Sequence, residues 1–167
     1  MIVRSEDRND IFRVYAVNRA AFETLAEARL VDRLREEAGP VVSQVAEIEG
    51  EIVGHILFTP VTLDDHPELP LVGLGPMAVH PDHQRQGIGS ALVEAGLAAC
   101  REIGAAGVVV LGHPEFYPRF GFVPASQFGI GCEYDVPEEA FMATELIPNA
   151  FDGSSGTVRY HDAFAAW

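Results

Sequence analysis

"MAVHPDHQRQGIGSALVEAG", residues 77–96, holds the turn on which the fold depends. An apolar run breaks at His80-Pro81, a polar stretch follows, and two glycines open a segment with helical spacing. Gly87 and Gly89 weaken a helix, so their place in a first turn needs a reason. Ile88, Ala91, Leu92, Ala95 and Ala99 fall on one face, which places a helix over residues 87–102. A helix N-terminus carries unpaired N–H groups and about half a positive charge, which together form an anion site. Glycine suits that turn when a ligand comes so near the backbone that a Cβ would collide with it. With Gln84, Arg85 and Gln86 as further donors, the natural occupant is a phosphate or diphosphate.

Outward from the turn, LVGLGPMAV (residues 71–79) is apolar and reads as a buried central strand, irregular at Gly75-Pro76. GVVVL (residues 107–111) is short and β-branched, a second buried strand. Strand, helix, strand in succession predicts a parallel pair. Further upstream, IVR forms a short strand, and residues 11–38 carry helical spacing through Ile11, Val14, Tyr15, Phe22, Leu25, Leu30 and Leu34. Thr24 and Glu27 suggest a capping box on the second of two helices, and Gly39-Pro40 ends this part. Two β-type runs flank Glu49-Gly50 as a hairpin. TLDDHPELP (residues 62–70) reads as a polar loop, and residues 115–120 as a short helix. AFMATELI and GTVRYHDAF are expected to close the chain as an antiparallel hairpin with NAFDGSSG as its loop. The expected architecture is α/β with a mixed sheet, in one domain over residues 1–167.

The 167 residues suffice for a real core, and 48% hydrophobic with 22% charged residues fits a soluble globular chain. With no long apolar run and no secretory core at the N-terminus, the expected location is cytoplasmic. A net charge of −14 argues against nucleic acid and anionic membranes as partners and favours cations, amines included. Cys100 and Cys132 lack metal-type spacing and the neighbours of an activated thiol. His80 and His83 share a turn but have no third ligand at suitable spacing, so no metal is expected.

Spacing separates the anion motifs. A P-loop needs Gly-Lys-Ser/Thr, which is missing here. A dinucleotide fingerprint fails because Leu92 stands at its sixth position and no acid follows GVVVL. What remains is Gln84-x-x-Gly87-x-Gly89 between a strand and a helix, which resembles the pyrophosphate motif of the GNAT superfamily of acyl-CoA-dependent N-acetyltransferases. "GHPEFYPRFGFVPA" independently resembles that family's Tyr-x-Lys/Arg-x-Gly-Phe signature at Tyr117, Arg119, Gly121 and Phe122. Gly-His-Pro at residues 112–114 is similar to a bacterial subgroup of predicted N-acetyltransferases.

The resemblance implies a mixed, mostly antiparallel central sheet with a splayed parallel strand pair and flanking helices. It implies acetyl-CoA as cosubstrate, with Met77, Ala78 and Val79 offering backbone to the pantetheine arm. The N–H groups of Arg85, Gln86, Gly87, Ile88, Gly89 and Ser90 would wrap the diphosphate, with the Gln84 and Arg85 side chains helping. A backbone N–H near Val79 would hold the oxyanion, and Tyr117 would protonate the leaving thiolate. Relatives often carry a glutamate base on the strand before the turn, but LVGLGPMAV has no acid. His113, Glu47, Glu115 or a water chain are the candidates, and His113 is favoured by its place at a strand's C-terminal end and its suitable ordinary pKa. The acceptor is a small-molecule or peptide amine framed by residues 20–34, 62–69 and 141–160. Acidic stretches at Asp64-Asp65 and residues 133–139 read most simply as solvated loops, and either could help recruit a cationic acceptor. The family implies a possible homodimer. Two alternatives stand beside transfer of acetyl to an amine: a non-catalytic acyl-CoA-binding or regulatory module, and an acyltransferase for longer acyl groups or a non-amine acceptor.

Overall fold

The computed structural model describes residues 1–39 and 41–166. The helical part begins with β1 (Ile2–Ser5), then α1 (Ile11–Ala21) and α2 (Ala26–Glu37). Pro40 of the expected Gly39-Pro40 stop lies outside the described residues. The Thr24 hydroxyl accepts from the Ala26 N–H at 3.2 Å and donates to Glu27 at 3.4 Å, so the two residues meet without closing a reciprocal box. A reciprocal box forms instead ahead of α1, where Asp7 and Asp10 each accept from the other's end of a single turn.

β2 (Val42–Ile48) and β3 (Glu51–Leu63) form the expected hairpin, and Glu49 and Gly50 both take positive φ in its two-residue turn. β4 (His66–Val79) follows at once. Most of the polar loop expected at residues 62–70 is therefore strand, and the turn is only Asp64-Asp65. Aspartate tolerates the left-handed conformation that Asp65 adopts. Pro67 and Pro70 are tolerated because the ladder skips between Val61↔Leu71 and Leu63↔His66. After α3 (Ile88–Glu102), β5 (Gly107–Leu111) lies parallel to β4. A single 3₁₀ turn at Tyr117–Phe120 replaces the expected helix at 115–120.

The C-terminal hairpin does not form. β8 (Phe141–Glu145) pairs antiparallel with β5 and with β6 (Val123–Pro124). β9 (Gly156–Arg159) instead joins the far end of β3 antiparallel and runs parallel to β7 (Ile130–Cys132). Between β8 and β9, buried Phe151 pins the loop, and its N–H reaches Glu145 at 2.9 Å. Arg159 then grips Asp64 through two 2.8 Å hydrogen bonds. The overhang left by β3 beyond its pairing with β2 offers β9 an edge that β8 cannot supply.

Nine strands among the described residues make one mostly antiparallel sheet, with β1-β2-β3-β4-β5-β8-β6 in order. Ile56 and Phe58 of β3 face one layer, where Leu92, Val93 and Leu97 of α3 cover them. Leu57 between them faces Val14, Leu34 and Val31 of α1 and α2. Burial on both faces explains why the central strands read as unbroken apolar runs.

Candidate active site

The parallel ladder between β4 and β5 ends at Leu74↔Val110, yet β4 continues to Val79. Between Ile56↔Met77 and Phe58↔Leu74 the β3–β4 register shifts, so Gly75 and Pro76 share the space opposite Leu57. This bulge lies where the β4–β5 ladder ends, and beyond it the two strands part as a fork. Past the bulge, β4 pairs only with β3. Backbone groups alternate along an antiparallel strand. The His80 N–H goes to Val53 on β3 at 2.8 Å. Val79 and Met77 accordingly turn their backbone groups to the open edge, where the Val79 carbonyl accepts from the Gln84 side chain at 3.2 Å.

That hydrogen bond ties the polar turn to the strand and engages the Gln84 amide inside the chain. Residues 84–87 are exposed, Arg85 has φ +63°, and Gly87 has φ +83° at the N-cap of α3. No side chain caps this end of α3. The two glycines have different reasons. At Gly87 the left-handed backbone itself favours glycine. Gly89 is not in that region, and a Cβ there would come no closer to the protein than 3.7 Å, at Met77 Cε. A Cβ at Gly89 would thus make only ordinary contact with Met77 and Phe116, so the chain's own packing does not demand glycine there. Ile88 between them is buried and anchors the turn, while Ser90 and Gly89 are half-buried.

Tyr117 stands at the fork, 6% exposed. The 3₁₀ turn that follows ends on Gly121 at φ +94°, and this reversal brings Phe122 edge-on to Tyr117 at 5.6 Å between centroids. Phe116 packs on its other side at 5.0 Å, and Arg119 lies over the Phe116 ring. Gly112 supplies the seat: a Cβ there would overlap the Tyr117 ring. Burial pushes the Tyr117 phenol up to about 12. Tyr117, Gly112 and His113 line a cavity of about 620 Å³ together with Gly75, Pro76 and Met77. Its size is ordinary for a small-molecule site. It continues to the face covered by α1 and α2, where Phe22, Tyr134, Tyr160 and Phe164 form its wall.

Residues 41–124, from β2 to β6, match the acetyltransferase (GNAT) domain family. The chain is 38% identical over 165 residues to the uncharacterised N-acetyltransferase YhbS of Escherichia coli K12, covering 98% of both chains. It belongs to the GNAT family of acetyltransferases. The crystal structure of E. coli YhbS in complex with CoA superimposes with a TM-score of 0.91 at 36% identity, over 98% of this chain and 91% of that one. A GNAT acetyltransferase from Brucella melitensis in complex with acetyl-CoA gives 0.78 at 34% identity, over 98% and 97%.

In this GNAT acetyltransferase the candidate bases separate. His113 is exposed and lines the cavity. Glu47 sits on β2 in an ion pair with Arg4 at 3.0 Å, and Glu115 is exposed outside the lining. His80 accepts from the Asp82 N–H and organises the turn. Among the described residues no group of three or more His, Cys, Asp or Glu side chains could hold a metal. Burial pushes the Cys100 thiol up to about 12 and raises Cys132 as well, which disfavours a thiolate at either place.

The three segments expected to frame the acceptor fare unevenly. Phe22 and Tyr160 come from two of them, whereas residues 62–69 form the distant β3–β4 turn and give the cavity no lining residue. Tyr134, Val136 and Phe164 were not expected at the site. Tyr134 and Val136 sit in the acidic stretch that reads as a solvated loop, and their alternation with acids was the available signal. Among the described residues no helix is long and apolar enough to cross a membrane.

Proposed function

We propose that this GNAT acetyltransferase moves the acetyl group of acetyl-CoA to a primary amine by direct attack. The observation that carries the reading is one juxtaposition: an uncapped, glycine-opened helix start beside a strand edge with no partner, leading to a cavity lined by the largely buried Tyr117. The N–H groups of residues 85–90 hold the diphosphate, aided by the α3 dipole and the exposed Arg85 side chain. The Met77 backbone groups and the Val79 carbonyl, with Ala78 between them bonded across to β3, pair with the pantetheine amides. The thioester then lies in the fork.

The neutral amine nitrogen attacks the thioester carbonyl carbon, and the Val79 N–H stabilises the oxyanion. The C–S bond breaks as the amide forms, and the sulfur leaves as a thiolate. Tyr117 is protonated throughout the working range because burial holds it near 12. Burial makes this phenol a weaker acid than an ordinary thiol, so full transfer to the thiolate runs uphill. The Tyr117 hydroxyl therefore serves first as a hydrogen-bond donor to the developing thiolate, and the proton lost by the amine, taken up by His113 or water, balances the reaction.

A specific observation favours a second reading, a non-catalytic acyl-CoA-binding module: no carboxylate lines the cavity among the described residues. Incubating the purified protein with acetyl-CoA and a panel of amines, while following free thiol, separates the two. Acceptor-dependent thiol release supports transfer. Thermal stabilisation by acetyl-CoA with no thiol release on any amine supports the module.

A further inference from the structure

The geometry points to an acceptor that is a monoamine on a flat, apolar body, an aralkylamine in chemical class, and not a polyamine, an aminoglycoside or a free amino acid. This rests on the transfer reading above and concerns the part of the cavity beyond the fork. There the wall is Phe22, Tyr134, Val136, Tyr160 and Phe164, closed towards the strand by Pro76.

Charge decides first. Among the described residues the lining holds no Asp, Glu, Lys or Arg; its titratable members are His113 and three tyrosines. A second ammonium on the acceptor would be desolvated there with no counter-charge, and a carboxylate would find no guanidinium or lysine. Glu133, whose charge is felt at Tyr134 and Tyr160, is outside the lining and accepts the Tyr160 backbone N–H at 2.6 Å. The −14 net charge can therefore draw a cationic amine towards the protein, but it does not follow the acceptor inside.

Shape decides next. Tyr134 and Tyr160 lie nearly parallel, 30° apart at 6.0 Å, and Phe164 meets Tyr160 edge-on at 5.2 Å. The Tyr160 ring is pressed on β4, since a Cβ at Gly73 would stand 2.9 Å from its Cε1. The wall is thus a fixed aromatic surface that rewards an aromatic or aliphatic body by area and ring contact. An apolar site also favours the neutral amine over its ammonium, which yields the nucleophile with no carboxylate base.

Thiol release from acetyl-CoA is measured with phenethylamine, putrescine, spermidine and L-alanine at equal concentration. The expected kcat/KM for phenethylamine exceeds each of the others by roughly a hundredfold. Val136→Asp then supplies the missing counter-charge and narrows the gap between putrescine and phenethylamine by about tenfold. Spermidine or L-alanine turning over as well as phenethylamine overturns the acceptor class and leaves acetyl transfer intact. A longer acyl-CoA, such as octanoyl-CoA, outcompeting acetyl-CoA assigns the apolar wall to the donor and overturns it too. Thiol release with none of the amines, despite acetyl-CoA binding, removes the transfer reading itself and the acceptor class with it.

Discussion

Tyr117 depends on Gly112, because its ring occupies the place of the Cβ that any other residue would bring. Tyr117→Phe keeps that packing and removes the hydroxyl. Its kcat should fall roughly tenfold to a hundredfold with acetyl-CoA affinity unchanged, as read by steady-state kinetics and calorimetric titration. An unchanged kcat would remove the phenol from the mechanism. A second residue governs pH. His55, fully buried on β3, has a defined tautomer: the Ser43 hydroxyl donates to Glu6, so it accepts from His55 Nε2–H, and Nδ1 accepts from Asn18. Burial, with the Arg35 charge adding to it, lowers this imidazole from 6.5 to about 3. The unfolded chain therefore binds a proton that the folded chain refuses between these values. Stability from this group is complete above pH 6.5 and is lost as pH falls towards 3. Thermal melts of the wild type should show this decline from pH 6.5 to 4.5, and His55→Gln should flatten it.

At the scale of the element, α3 does two things, one with its apolar face and one with its first turn. Leu92 has no exposed surface, and Leu92→Ala should lower the unfolding free energy by about 2–5 kcal/mol in denaturant titration. At the helix start, Gly89→Trp sets an indole in the first turn, where the protein tolerates a Cβ, and should abolish acetyl-CoA binding while thermal unfolding stays cooperative. Gly87 is a poorer probe, since φ +83° strains any replacement. Normal binding by Gly89→Trp would place the anion elsewhere. α3 was legible in the sequence because a 3.6-residue pattern and its polar, glycine-opened turn lie side by side in the chain. The β3–β4 hairpin was not, because Pro67 and Pro70 signal a loop while bulged register absorbs them. Nor was the pairing of β8 and β9, whose partners β5 and β3 are distant in sequence.

For the whole molecule, the sheet is a partition with a gap. α3 and the anion turn lie on one face, α1 and α2 with the aromatic wall on the other, and the fork between β4 and β5 joins them. The proposed donor side is readable in the sequence because its groups are consecutive, residues 77–79 and 84–90, and carry a spaced motif. The proposed acceptor wall is not, because Phe22, Tyr134, Tyr160 and Phe164 come from separate segments that only the fold brings together. The most direct measurement is a crystal structure of the protein soaked with CoA. Diphosphate density is expected against the N–H groups of residues 85–90, with the sulfur in the fork facing the Tyr117 hydroxyl. Diphosphate density anywhere else on the protein would contradict this placement.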